Sequence, residues 1–247
     1  MLPDGTPSLP GLLRRGAAGA WHIPGGVGFL VRRPRLWPVA LLPSVLVAVL
    51  GTSGLLLGLY AGPAAERALL PASLPPWMGV PATLALWTST VTAGGFLGLG
   101  IGLLIAAPVL DRLSREVETL AVGAATDADR GLRWEVAQSL RGAVYFLSRA
   151  PGILLVGFVP LVGPALSGLW AAHALAFQNT DSALARRGLD FAARRSWHRL
   201  YRPESLGLGL ASLLCLVVPC AGFLLAPALV TGGTRLVLEL TGPGTAS

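Results

Sequence analysis

The sequence contains no lysine, so all 19 of its basic residues are arginines. Only 13% of its residues are charged, whereas a typical soluble domain has about 25%. Hydrophobic residues make up 53% of the chain. This composition argues against an ordinary soluble domain and favours an integral membrane protein. In such a protein, arginines on the cytoplasmic face explain the net charge of +7, so no nucleic-acid partner is predicted.

Cysteine is scarce too, and the residues that usually carry chemistry form no recognisable site. Cys215 and Cys220 lie in one apolar segment without a CxxC motif, so we interpret them as packing residues. No phosphate-binding loop or nucleotide motif is present. Ser167 and His173 lack the Gly-x-Ser-Gly pattern of an intramembrane hydrolase. We therefore predict no enzyme activity, no catalytic residue, no metal and no cofactor.

Two long uncharged runs are the strongest positive signal. Residues 37–60 and 77–110 are each long enough, as helices, to cross the hydrocarbon core of a bilayer. Trp37 and Tyr60 stand at the two ends of the first run, where aromatic residues collect at membrane interfaces. The sequence predicts two long transmembrane helices here.

Glycines recur every four residues in both runs. They are Gly54 and Gly58 in the first run and Gly94, Gly98 and Gly102 in the second. Such stripes allow two membrane helices to approach closely. In a chain with 32 glycines the same spacing also arises by chance, so both interpretations stay open.

The remaining segments complete an all-α membrane fold with amphipathic cytoplasmic helices. We predict a single helical membrane domain over residues 37–240, after an arginine-bearing cytoplasmic lead-in that is interfacial or loosely helical. The predicted segments are the lead-in 1–36, a connector 111–143 with two amphipathic helices, a hairpin 144–178, an arginine-rich cytoplasmic segment 179–204, an apolar segment 205–233 and a flexible tail 241–247.

The distribution of arginine predicts the topology. The lead-in has five arginines, the connector five and the 179–204 segment six, but the link over residues 61–76 has one. The positive-inside rule places the first three on the cytoplasmic side and the link outside. This predicts a multi-pass membrane protein with a cytoplasmic amino terminus.

Residues 144–178 have arginine-rich segments on both sides, so a single crossing would leave six arginines outside. We interpret this segment as a half-penetrating hairpin with its tip at Pro160, Gly163 and Pro164, because proline interrupts a helix and glycine permits a reversal. Its tip would line a cavity, since lipid cannot satisfy free backbone groups. The alternative is an ordinary span with a proline kink. Pro219 marks the tip of a second proline-broken hairpin.

Five stretches occur in an order typical of one membrane-protein family. They are LLPSVLV, AAPVLDRLSREVE, VPLVGPALSGLWAAHALAFQNTD, GLDFAARRSWHRLYRPESLGLG and VPCAGFLLAPALVTGGTRLV. On these stretches the chain resembles the CysZ sulfate-permease family and the wider etoposide-induced protein 2.4 membrane family. The resemblance implies a helical bundle with two long transmembrane helices and two half-penetrating hairpins. It also implies sulfate uptake for cysteine synthesis.

The resemblance is weakest where the family carries a Gly-Leu/Ile-Arg-Arg stretch before the first span. The matching positions here are Arg35, Leu36, Trp37 and Pro38, so the glycine and both family arginines are absent. The nearby arginines Arg32, Arg33 and Arg35 are candidates to replace them.

The candidate anion-binding residues are Arg32, Arg33, Arg35 and Arg149, because guanidinium groups bind oxyanions with two parallel hydrogen bonds. The alternative, which the sequence favours for Arg32, Arg33 and Arg35, is that they set the topology and contact lipid phosphate; Arg149 would then extend its charge to the membrane interface. We expect a permease or channel for a small inorganic anion such as sulfate. The alternative is a membrane scaffold or assembly factor of the same fold. The expected partners are the lipid bilayer and a small anion, and self-association is left open.

Overall fold

The structure, a computed structural model, describes residues 8–71, 74–125, 131–157, 159, 162–217 and 221–242. Every regular element in these ranges is helical, which confirms the all-α prediction. The α-helices are α1 (Leu9–Val31), α2 (Trp37–Leu69), α3 (Pro76–Val122), α4 (Leu132–Leu147), α5 (Ala150–Gly157), α6 (Val162–Arg186), α7 (Phe191–Leu200), α8 (Arg202–Val217) and α9 (Ala221–Thr241). A short 3-10 helix, Pro34–Leu36, separates α1 from α2.

The chain divides into two compact units. One, which we call the bundle, comprises Met1–Trp37 with Asp111–Ser247. The other, which we call the helix pair, comprises Pro38–Leu110. The lead-in and the segments after residue 110 thus belong to one compact unit, whereas the two predicted spans form the other.

Within the helix pair, the glycine stripes of α2 and α3 form the contact surface. Gly54 lies against the backbone of Gly94 and Gly98, and Gly58 lies against Thr90. A side chain on any of these glycines would collide with the facing backbone. The close-packing interpretation of the stripes is therefore confirmed.

Two helical segments in the described part of the chain, Pro34–Leu69 and Trp77–Val122, are long and apolar enough to cross a membrane by length and composition. Both α2 and α3 extend beyond the predicted spans. In α2 the extension to Leu69 carries Glu66, whose carboxylate accepts hydrogen bonds from Thr83 Oγ1 at 3.2 Å and Trp87 Nε1 at 3.1 Å of α3. These bonds stabilise part of the link 61–76, which we predicted to follow the first membrane span and not to belong to it.

The first half of the predicted connector is not a separate amphipathic helix. Helix α3 continues through Asp111 to Val122 without interruption. No glycine or proline occurs in this stretch before Gly123, whose φ of +86° ends the helix in the left-handed region that favours glycine. The second predicted amphipathic helix is present as α4.

The lead-in forms a regular helix and not a loose one, and its interfacial position stays a prediction. Helix α1 has 23 residues and passes through Pro24. Its glycines, which weaken an isolated helix, here serve as contact points: Gly19 lies against the backbone of Glu204 in α8, and Gly26 against that of Ala228 in α9. Tertiary packing thus overrides the weak helix propensity.

Helix α6 also packs against α8 and α9 through glycines. Gly209 of α8 lies against Ala172 of α6, and Gly233 of α9 lies against Asn179 of α6. The core of the bundle includes Leu184, Leu208, Leu236 and Val237. Helix α9 continues past residue 233, where the predicted apolar segment ended, and this continuation buries Leu236 and Val237.

The predicted hairpin over residues 144–178 differs from the structure in its limits. Its beginning belongs to α4, and α6 continues beyond residue 178 to Arg186. Helices α5 and α6 pack against one another, and Gly163 lies against the carbonyl groups of Val156 and Gly157. Pro164 lies in the first turn of α6, where its missing N–H costs little. Pro160 and Pro219 lie outside the described residues, and the depth of both hairpins in the bilayer stays a prediction.

Candidate anion-binding site

Three arginines of the bundle line one cavity at the end of α1. Arg32 and Arg33 follow the last residue of α1, and Arg235 comes from α9. The guanidinium carbon of Arg33 lies 3.7 Å from the centroid of the Phe29 ring, and that of Arg235 lies 5.7 Å from it. The cavity has a volume of ≈ 330 Å³, and its lining is completed by Trp21, Pro24, Gly25, Gly28 and Phe29.

This cavity concentrates positive charge. Within the described part of the chain, no Asp or Glu forms an ion pair with Arg32, Arg33 or Arg235. Two guanidinium groups share one aromatic ring, whose face attracts cations. A tetrahedral dianion would neutralise charge that the described residues do not pair, and it can accept paired hydrogen bonds from guanidinium groups.

The other two candidate arginines do not line this cavity. Arg35 is exposed in the 3-10 helix. Arg149 lies in the turn between α4 and α5, where its Nη1 donates to the carbonyl of Tyr145 at 3.0 Å and its guanidinium stacks 3.8 Å from that ring. It lines a different cavity of ≈ 570 Å³. Of the four candidates, the structure thus brings together Arg32 and Arg33.

Sequence reasoning missed Arg235. The residue follows Gly232 and Gly233 near the end of the chain and looks there like a single charge beyond the last apolar run. The available signal was the helical i, i+4 spacing of Leu236 and Leu240, which indicates that Arg235 begins a turn of helix. Its association with Phe29 depends on the contact between α1 and α9, which no local pattern reveals.

A second polar cluster is buried between α3, α6 and α9. Glu118, which is 1% exposed, accepts from Arg186 Nη2 at 3.1 Å and from Arg187 Nη2 at 3.0 Å. Arg186 also donates to Asp111 Oδ1 at 2.6 Å and to Ser114 Oγ at 2.8 Å. The sequence suggested that both arginines were topological charges facing the cytoplasm. Their burial assigns them a structural role in addition.

A third polar group, centred on His198, joins α6, α7 and α8. The Thr180 hydroxyl donates to the carbonyl of Ala176 at 2.9 Å, so it accepts from His198 Nε2, which lies 3.1 Å away. His198 Nδ1 then accepts from the hydroxyl of Ser205 at 2.6 Å. Burial, with a smaller contribution from His173, lowers the pKa of His198 from 6.5 to about 3. The ring is therefore neutral across the physiological range.

We expect His198 to make the folded protein sensitive to mild acid. The pKa of this group is lower in the folded than in the unfolded chain, so the unfolded state takes up a proton first as the pH falls below 6.5. The free energy of unfolding should fall by about 2 kcal/mol between pH 7 and pH 5 through this group alone. Denaturant titrations in detergent should show that His198→Gln loses this part of the pH dependence. An equal slope in the wild type and the variant would contradict the assignment.

Comparison with known proteins identifies the family. The family model described as sulfate transporter CysZ/etoposide-induced protein 2.4 matches residues 23–227, which is most of the chain. The chain belongs to this family. The matched range includes α2, α3, Arg32, Arg33 and the α5–α6 segment, and it ends before Arg235. The resemblance inferred from the quoted stretches is thereby confirmed.

Individual relatives carry the same description. Proteins named sulfate transporter CysZ are 31% identical over 143 residues in Pseudomonas fluorescens Pf-5 and 28% identical over 221 residues in P. fluorescens Pf0-1. A third, from P. paraeruginosa PA7, is 26% identical over 190 residues. These alignments cover 53%, 83% and 67% of this chain and 57%, 87% and 73% of the relatives. The first alignment thus spans little more than half the length of that relative. The relatives are bacterial proteins named as transporters, and the apolar helices α2 and α3 fit a membrane protein.

Proposed function

We propose that the protein is a multi-pass permease or channel that carries sulfate or a similar inorganic oxyanion across a bacterial inner membrane. The observation that carries the proposal is the family match over residues 23–227. In this proposal the amino terminus is cytoplasmic, and transport proceeds without ATP hydrolysis, since the sequence has no nucleotide motif.

The cavity formed by Arg32, Arg33 and Arg235 supports the proposal by its chemistry. A four-oxygen dianion fits a volume of ≈ 330 Å³. The Phe29 ring lies beside two of the guanidinium groups and positions them at the cavity, while their in-plane N–H groups stay able to donate to an anion. A site that is partly open, and whose arginines form no ion pair with a carboxylate of the described residues, suits reversible binding of an anion, as a permeation pathway requires. Arg35, which is exposed nearby in sequence, would raise the local anion concentration without holding the ion.

We expect sulfate uptake into proteoliposomes that contain the purified wild-type protein. The triple variant Arg32→Gln, Arg33→Gln and Arg235→Gln should lower the initial uptake rate about tenfold or more, because it removes every guanidinium group that lines the cavity. The measurement is the rate of radiolabelled sulfate entry under an inward sulfate gradient at fixed ionic strength.

Two controls separate the site from general electrostatics. Arg35→Gln removes a neighbouring exposed charge and should retain most of the uptake. The triple variant Arg14→Gln, Arg133→Gln and Arg141→Gln removes the same net charge from exposed positions and should transport like the wild type. Absence of uptake by the wild type would overturn the transport proposal and favour a scaffold of the same fold. Equal loss in both triple variants would overturn the site.

A further inference from the structure

Two adjoining cavities lie beside helices α5 to α8 of the bundle, away from the residues of the proposed sulfate site. One has a volume of ≈ 420 Å³ and the other ≈ 570 Å³. They adjoin because Ile153, Leu166 and Trp170 line both. Together they form a continuous groove, which we call the α5–α8 groove.

The wall of the groove is mainly apolar and is not covered by other described parts of the bundle. Leu166 and Leu169, on α6, are 49% and 41% exposed. Ile153 and Val156 of α5 and Leu206 of α8 extend the same surface. A small, strongly hydrated anion gains nothing from such walls, whereas a hydrocarbon chain would be buried favourably against them.

Arginines stand along the edge of this apolar surface. Arg199 and Arg202 line the first cavity, and Arg149 lines the second. All three are exposed, and none forms an ion pair with a carboxylate of the described residues. Arg149 is held in place by its stacking on Tyr145. The groove therefore combines an apolar wall with uncompensated positive charge, which is the complement of an amphipathic anion.

We propose that the α5–α8 groove binds one anionic phospholipid of the inner leaflet. Its phosphate contacts Arg199 and Arg202 in the first cavity, and Arg149 adds positive charge at the second. An acyl chain lies over the residues that line both cavities, Ile153, Leu166 and Trp170. The placement fits the predicted topology, in which residues 144–178 dip into the bilayer and residues 179–204 face the cytoplasm, because the groove takes its apolar wall mostly from the former and two of its arginines from the latter. Lipid binding here does not depend on sulfate transport.

The test is lipid binding to the full-length protein in detergent, measured by native mass spectrometry. We expect phosphatidylglycerol to bind more tightly than phosphatidylcholine with the same acyl chains. The double variant Arg199→Gln and Arg202→Gln should weaken phosphatidylglycerol binding about tenfold or more, because each interfacial arginine contributes markedly to anionic-lipid affinity. The control Arg14→Gln and Arg133→Gln removes the same charge elsewhere and should bind like the wild type. Because Arg199 and Arg202 are exposed, both double variants should keep the thermal midpoint of the wild type.

Competition measurements and the oligomeric state distinguish a phospholipid from other occupants of the groove. Glycerol 3-phosphate, which has the phosphate without the chains, should compete only weakly, and so should sodium sulfate compared with sodium chloride at equal ionic strength. Full displacement by sulfate would show a small-anion site and overturn the proposal. Equal binding of phosphatidylcholine, or an effect of the control as large as that of the groove variant, would overturn it as well. So would a change from oligomer to monomer in the groove variant without any loss of bound lipid, since a second copy would then occupy the groove.

Discussion

Replacing Glu118 with alanine is expected to destabilise the bundle by about 3–5 kcal/mol. The carboxylate is buried and accepts from both Arg186 and Arg187. Removing it leaves the buried Arg186 with Asp111 as its counter-charge and the buried Arg187 without an ion-pair partner among the described residues. Arg186 and Arg187 each already have a buried Nε atom without a hydrogen-bond partner among the described residues, so losing the carboxylate adds further unsatisfied donors. Burial also lowers the pKa of Arg187, which shows how strongly this environment disfavours its charge.

The measurement is thermal or denaturant unfolding of the purified protein in detergent, with limited proteolysis as a second readout. Glu116→Ala is the matched control, because Glu116 lies on the same helix but pairs with Arg112 on the surface at 3.3 Å. Such exposed pairs contribute little, so the control should stay within about 0.5 kcal/mol of the wild type. Equal stability of the two variants would show that the buried cluster is not a structural centre of the bundle. Glu118→Gln, which keeps an acceptor of the same shape, should fall between them.

This cluster also illustrates what sequence reasoning could not reach. Arg186 and Arg187 were counted among six arginines of a cytoplasmic segment. Such a count considers each segment alone and does not show which residues of other segments they contact. Their partner Glu118 lies 68 and 69 positions away in sequence. No spacing rule links such distant residues, because the contact depends on how α3 and α6 pack.

The parts that the sequence did predict share one property: each depends on a local pattern. Low charge and long apolar runs predicted an all-helical fold with α2 and α3 as its long apolar helices. The four-residue repeat of glycine predicted the contact surface of the helix pair. Gly123, by contrast, was overlooked as the residue that ends α3, so the first half of the connector was divided off as a helix of its own.

The candidate site shows the same limit. The adjacent residues Arg32 and Arg33 were accessible to sequence reasoning because they precede a long apolar run. Arg235 joins them only because glycines of α1 allow α9 to approach, as at Gly26 and Ala228. Those same glycines argued for a loosely helical lead-in when only local propensity was considered. A residue that weakens an isolated helix can thus be the one that brings two helices together.

The helix pair offers the most direct test of this principle. Gly98 of α3 lies against the carbonyl of Leu50 and the backbone of Gly54, both in α2. We expect Gly98→Leu to force the two helices apart, because rigid backbone and not a flexible side chain occupies the space. The expected loss is at least about 2–3 kcal/mol, since overpacking strain is added to the loss of close contacts along the stripe.

Gly100 provides the control on the same helix, because a side chain built there meets nothing within 4 Å. Gly100→Leu introduces the same bulk and the same change in helix propensity, so any difference between the variants reports the contact alone. The measurement is the unfolding midpoint of each purified variant in detergent. It is combined with disulfide crosslinking of cysteines introduced at Gly51 and Leu99, in a background without the native cysteines, because a side chain built at Gly51 meets the Leu99 side chain on the facing helix. We expect Gly100→Leu to keep the wild-type midpoint and crosslinking and Gly98→Leu to lose both. Equal behaviour of the two variants would mean that α2 and α3 are held together by something other than their glycines.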